Sequence, residues 1–353
     1  MVPLMKKALI TGVRGQDGAY LSQLLISKGY EVYGADRSGD SGRWRLSELG
    51  IEGRVKDVCL DMLELSNIMD VLEKIQPDEI YNFAAQSFVT MSFEQPILTA
   101  EINAVGVTRL LEAIRKARPA ARFYQASTAE IFGSTGPVTQ SESTAFHPKS
   151  PYSVSKLYAH WITVNYREAY NLHASCGIMF NHESPLRGEE FITRKITSAV
   201  AKIRKGLQEK VLVGNLEASR DWGYAKEYVE AIWLMLQQPK ADDYILATGE
   251  SHTVREFVEA AFIAAGFKLE WSGTGLTEKG VDGITGKTLV EVSGDFYRPT
   301  EVDALMGNAA KAKEKLGWQP KTKFKDLVAL MVEADIKRLE QQKMKNRRSS
   351  DKQ

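Results

Sequence analysis

Residues 6–11 (KKALIT) run straight into Gly12-Val13-Arg14-Gly15-Gln16-Asp17-Gly18. The first stretch is short and β-prone; the second is a turn with a glycine at every third position. An amphipathic segment follows, with Leu21, Leu24, Leu25 and Ile26 available for burial. Strand, glycine turn and helix in this order form the fingerprint of a dinucleotide-binding βαβ unit. The first glycine permits the turn, the second lets backbone approach a pyrophosphate, and the third lets helix and strand pack closely. The helix start adds unpaired N–H groups and the positive end of its dipole. Gly12, Arg14, Gly15, Gln16, Asp17 and Gly18 are therefore expected against a cofactor, and the next strand arrives on schedule between Tyr30 and Asp36.

Outward from this unit, the first half of the chain alternates. Strands are expected at residues 8–11, 31–35, 55–60, 79–83, 122–126 and 173–179, and helices at 18–28, 66–75, 99–117 and 153–170. Such alternation predicts an α/β fold, a Rossmann-type doubly wound parallel sheet covered on both faces. Ligands of such a sheet bind beyond the carboxyl ends of its strands. Asp36 and Arg37 fall there after the second strand, and Asp61 and Met62 after the third. Ala84, Ala85, Gln86 and Ser87 follow the fourth strand, and Ser127 to Glu130 the fifth. From about His182 the regularity is lost, with shorter helices expected at 193–205, 225–237, 254–265 and 308–316. The expected division is a dinucleotide-binding domain over 1–181, a smaller C-terminal α/β subdomain mainly for substrate over 182–342, and a disordered polar tail over 343–353. The glycine-rich residues 272–294 are expected as a long loop.

The chain has 353 residues, enough for one large domain or two modest ones. Its 43% hydrophobic and 26% charged residues match an ordinary soluble globular protein. A net charge of +1 argues against bulk electrostatic binding of nucleic acid or an anionic membrane. No apolar run is long enough to span a bilayer, and the first residues lack the layout of a signal peptide. Cys59 and Cys176 lie in apolar surroundings and are expected as buried free thiols, which fits a cytoplasmic location. The histidines show no metal-ligand spacing, so no metal is expected.

Chemistry concentrates in Tyr152-Ser153-Val154-Ser155-Lys156. Its phenol and ammonium stand four residues apart, on one face of a helix. A free phenol titrates near ~10, and a neighbouring cation lowers that value. Such a pair can accept a hydroxyl proton while hydride leaves the same carbon. Just upstream, Thr128 can hydrogen-bond a substrate hydroxyl. Glu130 is either a second proton-transfer group in the same pocket or a surface carboxylate at a helix start. Trp222 and Phe296 are expected in the core.

Along almost its full length the chain resembles the GDP-mannose 4,6-dehydratase family of the extended short-chain dehydrogenase/reductase superfamily. The segments that carry the resemblance are 10–20 (ITGVRGQDGAY), 81–89 (YNFAAQSFV), 123–133 (FYQASTAEIFG), 148–158 (PKSPYSVSKLY), 180–188 (FNHESPLRG), 219–223 (SRDWG) and 296–303 (FYRPTEVD). The resemblance implies a redox-neutral elimination on a GDP-sugar, in which one nicotinamide cofactor takes hydride from C4 and returns it to C6. It makes Thr128, Glu130, Tyr152 and Lys156 catalytic. It sets His182 and Arg187 against the cofactor, and Ser87, Asn181, Lys195, Arg220, Arg298 and Glu301 against the substrate. A diphosphate suits the arginines and lysine, and guanine or ribose hydroxyls suit Glu301. A GDP-heptose dehydratase, or a GDP-sugar reductase or epimerase, is the alternative.

Two departures bear on these expectations. Where the family carries consecutive arginines for an NADP 2′-phosphate, this chain reads Ala35-Asp36-Arg37-Ser38. A carboxylate there suits a free 2′-hydroxyl, while Arg37 and Arg43 can still hold a phosphate; NADP is the first choice and NAD the alternative. Residues 39–42 also differ from the family loop that can bridge subunits, so a homodimer or homotetramer is expected without a choice between them.

Overall fold

The computed structural model describes residues 5–37, 42–133, 139–296 and 305–350, the last six of these as backbone only. The chain order is β1 (Lys7–Thr11), α1 (Gln16–Ser27), β2 (Glu31–Asp36), α2 (Trp44–Glu48), β3 (Val55–Cys59), α3 (Leu65–Ile75) and β4 (Glu79–Asn82). Then come α4 (Val89–Glu94), α5 (Pro96–Ala100), α6 (Gly106–Ala117), β5 (Arg122–Thr128), α7 (Pro151–Tyr170) and β6 (Ala174–Met179). The seventh sheet strand arrives much later, and the sheet reads β3-β2-β1-β4-β5-β6 followed by Tyr244–Leu246 at the edge, all parallel. β1 is central: Ala8, Leu9 and Ile10 are fully buried. Strand order reverses between β1 and β4, which opens a crevice at their carboxyl ends. One core cluster lies under α1, and another under α3, α6 and α7.

The second half continues as β7 (His182–Glu183), α8 (Ile192–Arg204), β8 (Val211–Val213), β9 (Ser219–Arg220), β10 (Gly223–Tyr224), α9 (Ala225–Gln237) and β11 (Tyr244–Leu246), the edge strand above. It ends with β12 (His252–Thr253), α10 (Val254–Ala264), β13 (Leu269–Ser272), β14 (Lys279–Asp282), β15 (Thr288–Val292), α11 (Ala310–Leu316) and α12 (Phe324–Ser350). β11 joins the large sheet and α9 packs beside α1. α11 also packs on the large-sheet core, while α8, α10 and α12 form a smaller body around their own core against a four-stranded sheet β13-β14-β15-β8.

Several expectations are corrected. Residues 272–294 are not a loop but carry β14 and β15, an antiparallel hairpin. Asp282 makes its turn by accepting from Thr285 Oγ1 at 2.6 Å, and glycines at 283 and 286 ease the bend. The tail is helical as far as Ser350: the packed start of α12 nucleates a helix that lysine, glutamine and arginine readily extend. Cys59 is exposed, because β3 is the edge strand of the sheet; Cys176 is buried. The expected helix at 99–117 is interrupted by a π turn over Glu101–Val105. No helix among the described residues is long and apolar enough to cross a membrane.

A buried carboxylate locks α12 to α8 inside the smaller body and orients an arginine that crosses to the sheet side. Asp335 on α12 pairs with Arg194 of α8 at 2.7 Å, their side chains 4% and 5% exposed, and accepts from Thr197 Oγ1 at 2.8 Å. It also pairs with Arg338 at 2.8 Å, which reaches Glu48 of α2 on the sheet side. Asp335→Ala removes the carboxylate from the buried Arg194 guanidinium, leaving it the neutral Pro185 and Arg187 carbonyls, and is expected to lower unfolding free energy by about 3–5 kcal/mol, measured by urea titration. A loss under about 1 kcal/mol contradicts this fastening role.

Candidate active site

Two cavities meet at the carboxyl ends of the large sheet. The first, about 380 Å³, runs from the glycine turn to α7. The second, about 650 Å³, lies between that chamber and the smaller body. Glu130, Asn181, Arg187, Glu190 and Phe191 line both.

The floor of the first chamber is the turn between β1 and α1. Gly12 has φ +67°, and a Cβ there would sit 2.9 Å from Ala84 N; one on Gly18 would lie 2.6 Å from the Gly12 carbonyl. Both positions therefore admit only glycine, and the start of α1 is left facing the chamber without a side-chain cap. Above it, Ser127 Oγ lines the cavity, is buried, and has no hydrogen-bond partner among the described residues. A buried orphan hydroxyl beside a bare helix start fits a bound dinucleotide.

α7 begins with Pro151 and a capping box: Ser150 Oγ accepts from Ser153 N at 3.1 Å, and Ser153 Oγ accepts from Ser150 N at 2.9 Å. This fixed start aims Tyr152 and Lys156 into the chamber. Lys156 is 4% exposed and donates from Nζ to the Ala126 carbonyl at 3.0 Å. Burial lowers its pKa to about 8, against the opposing charge of Asp17. Tyr152 departs from expectation: burial first, then the charge of Glu130, push its phenol up to about 12, opposed by a Thr128 hydrogen bond and the Arg187 charge. The lysine does not depress the phenol, because its Nζ lies 6.0 Å from the ring centre and is bonded elsewhere.

Glu130 is not a surface carboxylate. It sits in a short turn, Ala129–Ile131, whose Ala129 and Ile131 are buried in a hydrophobic cluster. That anchoring leaves Thr128 and Glu130 on the chamber side, and Glu130 N donates to Thr128 Oγ1 at 3.3 Å. A proton acceptor, a hydroxyl anchor, a phenol and an ammonium thus face one space, which suits oxidation of an alcohol coupled to a second proton transfer.

Most expected cofactor residues gather here: Gly12, Arg14, Gly15, Gln16, Asp17, Gly18, Ala85, His182 and Arg187, with Ser87 and Asn181. Asp36, Arg37, Asp61, Met62, Ala84 and Gln86 stand at neighbouring strand ends but do not line the cavity. Met62 is instead buried in the core beneath α6, and the Gln86 amide donates to the Phe88 carbonyl at 2.9 Å. Lys195 and Arg220 line the second chamber. Phe296 is not core: it is 46% exposed, faces that chamber, and lies 3.1 Å below Lys195 Nζ. Trp222 is core as expected. Arg298 and Glu301 lie outside the described residues. Among the described residues no group of His, Cys, Asp and Glu could hold a metal ion.

Sequence reasoning missed three supporting residues. Asp221 is fully buried and accepts from Thr248 N at 2.8 Å, Thr248 Oγ1 at 2.6 Å and Gly249 N at 2.9 Å, which fixes the backbone beside Arg220. Asn103, in the π turn, ties Gln86 to Ser155, one residue before Lys156. Glu183 is buried and pairs with Arg187 at 3.1 Å. An acidic residue between Arg220 and Trp222 was the available signal for the first, and the i,i+4 spacing to Arg187 for Glu183; Asn103 depends on partners 17 and 52 residues away.

The family model described as GDP-mannose 4,6 dehydratase matches residues 9–331. A GDP-mannose 4,6-dehydratase of Sinorhizobium fredii (strain HH103) is 50% identical over 339 residues, 94% of this chain and 97% of that protein. The Homo sapiens GDP-mannose 4,6 dehydratase is 48% identical over 338 residues, 93% of this chain and 91% of that protein. Among solved structures, the Thermus thermophilus UDP-glucose 4-epimerase complex with NAD is similar at a TM-score of 0.77 and 26% identity, covering 93% of this chain and 98% of that one.

Proposed function

We infer that this chain, which belongs to the GDP-mannose 4,6-dehydratase family, converts GDP-mannose to GDP-4-keto-6-deoxymannose and water. The observation that carries the mechanism is Glu130 facing the same chamber as Thr128, Tyr152 and Lys156. An alcohol oxidation needs the last three; a carboxylate among them serves an elimination. A nicotinamide dinucleotide held against the glycine turn would supply the hydride chemistry, as acceptor for C4 and donor to C6 of the sugar.

The residues of the chain move the protons. Thr128 holds the C4 oxygen and Tyr152, as phenolate, takes the C4 hydroxyl proton. The resulting ketone acidifies C5–H, and Glu130 removes that proton. Glu130 then delivers it to the C6 hydroxyl, which leaves as water. Tyr152 now holds the proton that C5 regains, so the sum is loss of one water. Lys156, held by the Ala126 carbonyl, would hold the cofactor ribose when the dinucleotide is bound. Lys195 and Arg220 in the second chamber pair the GDP diphosphate. Purified protein given GDP-mannose without reductant should yield a product one water lighter; an unchanged sugar nucleotide defeats the assignment.

The cofactor is NADP on this reading. Arg14 Nε lies 3.5 Å from Asp36 Oδ2, so the carboxylate that would repel a 2′-phosphate is offset by a guanidinium, with Arg37 adjacent. Mass analysis of the dinucleotide released from the purified protein decides it, and NAD alone would reject NADP. The unpaired cysteines, one of them exposed, suit a reducing cytoplasm.

The chain works as a homodimer built on α7. Val154, Tyr158 and Trp161 recur at helical spacing on one face and are 55%, 46% and 54% exposed, with Ile97 of α5 80% exposed nearby. A second copy of the same face would cover them. Sedimentation should give a dimer or larger for the native chain and a monomer for Trp161→Glu; a native monomer rules this surface out.

A further inference from the structure

His182 lies where the large sheet meets the glycine turn. Its Nδ1 faces the Phe180 carbonyl oxygen at 2.8 Å and its Nε2 faces Asp17 Oδ2 at 3.0 Å. A carbonyl and an ionised carboxylate can only accept, so each ring nitrogen must carry a hydrogen. The ring is buried and stacks on Tyr228 of α9 with centroids 5.1 Å apart and planes at 21°, which leaves it no room to turn. The contact is reinforced on both sides: Gln16 Nε2 donates to the His182 carbonyl at 3.0 Å, and Ser184 Oγ donates to Gln16 Oε1 at 2.6 Å.

We propose that His182 is held as an imidazolium against Asp17 and that this buried ion pair is a positioning device that makes retention of the dinucleotide depend on one proton. The proposal rests on the reading that the glycine turn holds a dinucleotide diphosphate. Asp17 is the second residue of α1, inside the chamber. Unopposed, its carboxylate would repel a diphosphate; the imidazolium cancels it. When the ring loses its proton, one nitrogen presents a lone pair to an acceptor, the clasp on the turn slackens, and the carboxylate is uncovered. Both effects weaken anion binding.

The surroundings agree in sign. Burial alone would depress His182, but the Asp17 charge overrides it and holds the ring above the usual histidine range, with Arg187 opposing. Burial would likewise raise Asp17, but His182 overrides it and the carboxyl lies below its usual range, with Arg187 acting in the same sense. The Asp17 charge is also felt by Arg45, Lys156, Tyr152 and Tyr124. A raised histidine gives a contribution complete at low pH and lost as pH rises through its folded value. A depressed carboxyl gives one lost only as pH falls through its own. The pair therefore works between those limits and fails on the alkaline side first.

The test is titration of the cofactor-stripped full chain with NADPH and NADH, followed by nucleotide fluorescence across neutral and alkaline pH, with ¹⁵N spectra of the histidine rings. The expected result is a doubly protonated His182 at neutral pH and a dissociation constant that rises by up to about tenfold per pH unit beyond its ionisation. Asp17→Asn should move that break to lower pH, and His182→Gln should remove it. A neutral His182 ring at neutral pH, or native affinity with no alkaline break, overturns the proposal. If the variants do not fold, the native chain's spectra and titration still decide. Absence of any nucleotide binding would instead refute the dinucleotide site, and the dehydration assay plays no part in either outcome.

Discussion

Glu130→Gln leaves oxidation at C4 running and stops the loss of water. The amide cannot take the C5 proton, so dehydration should fall by about 10²–10⁴-fold, the usual worth of a positioned acid or base. The first step should not suffer in parallel. The charge of Glu130 is one of the two main causes that hold Tyr152 near about 12, and removing it makes the phenolate easier to form. Reduced nicotinamide absorbance should therefore build up on mixing the variant with GDP-mannose and persist, while no lighter product appears. A folded variant with no absorbance change would place Glu130 in the first step instead and remove the assigned role.

Tyr152→Phe should give the opposite record: no reduced nicotinamide at all, and turnover lower by about 10²–10⁴-fold. The substitution deletes one oxygen whose main local partner is Thr128, and the capping box that starts α7 does not involve it. The fold should survive, so loss of signal can be read as loss of chemistry. Single-turnover absorbance of the two variants side by side separates the roles, since one stalls after the first step and the other before it. A Tyr152→Phe protein that still reduces its nicotinamide at the native rate would hand the C4 proton to another group.

The parallel sheet was legible because most strands from β1 to β6 are short β-prone runs closed by turn residues, with helix-period segments between; β3, with Lys56 and Asp57 inside it, is the exception. The proposed catalytic quartet was legible because it lies in two segments, 127–130 at the end of β5 and 152–156 on the helix that follows the same strand. What escaped has physical causes. β14 and β15 carry Lys279, Asp282 and Glu291 among few apolar residues, so their pattern is weak; the Asp282-Gly283 pair was the hairpin signal. Cys59 looked apolar from its neighbours, yet an edge strand shows one face to water. The elevated phenol of Tyr152 could not be read from spacing, because four residues along a helix give proximity but not the direction in which a lysine bonds. The Asp17–His182 contact joins residues 165 positions apart, and no local pattern marks it.

The wall shared by the two chambers has a metabolic consequence. On the proposed mechanism, alcohol, ketone and deoxygenated product all stay beside the wall that Glu130 and Asn181 line, so the electrons lent at the start of a turnover are repaid before the sugar departs. No reducing power is drawn from the surrounding pool or left in it. Flux through this step is then indifferent to the balance of oxidised and reduced coenzyme in its compartment, and responds only to how much sugar nucleotide arrives and how quickly the product is carried off.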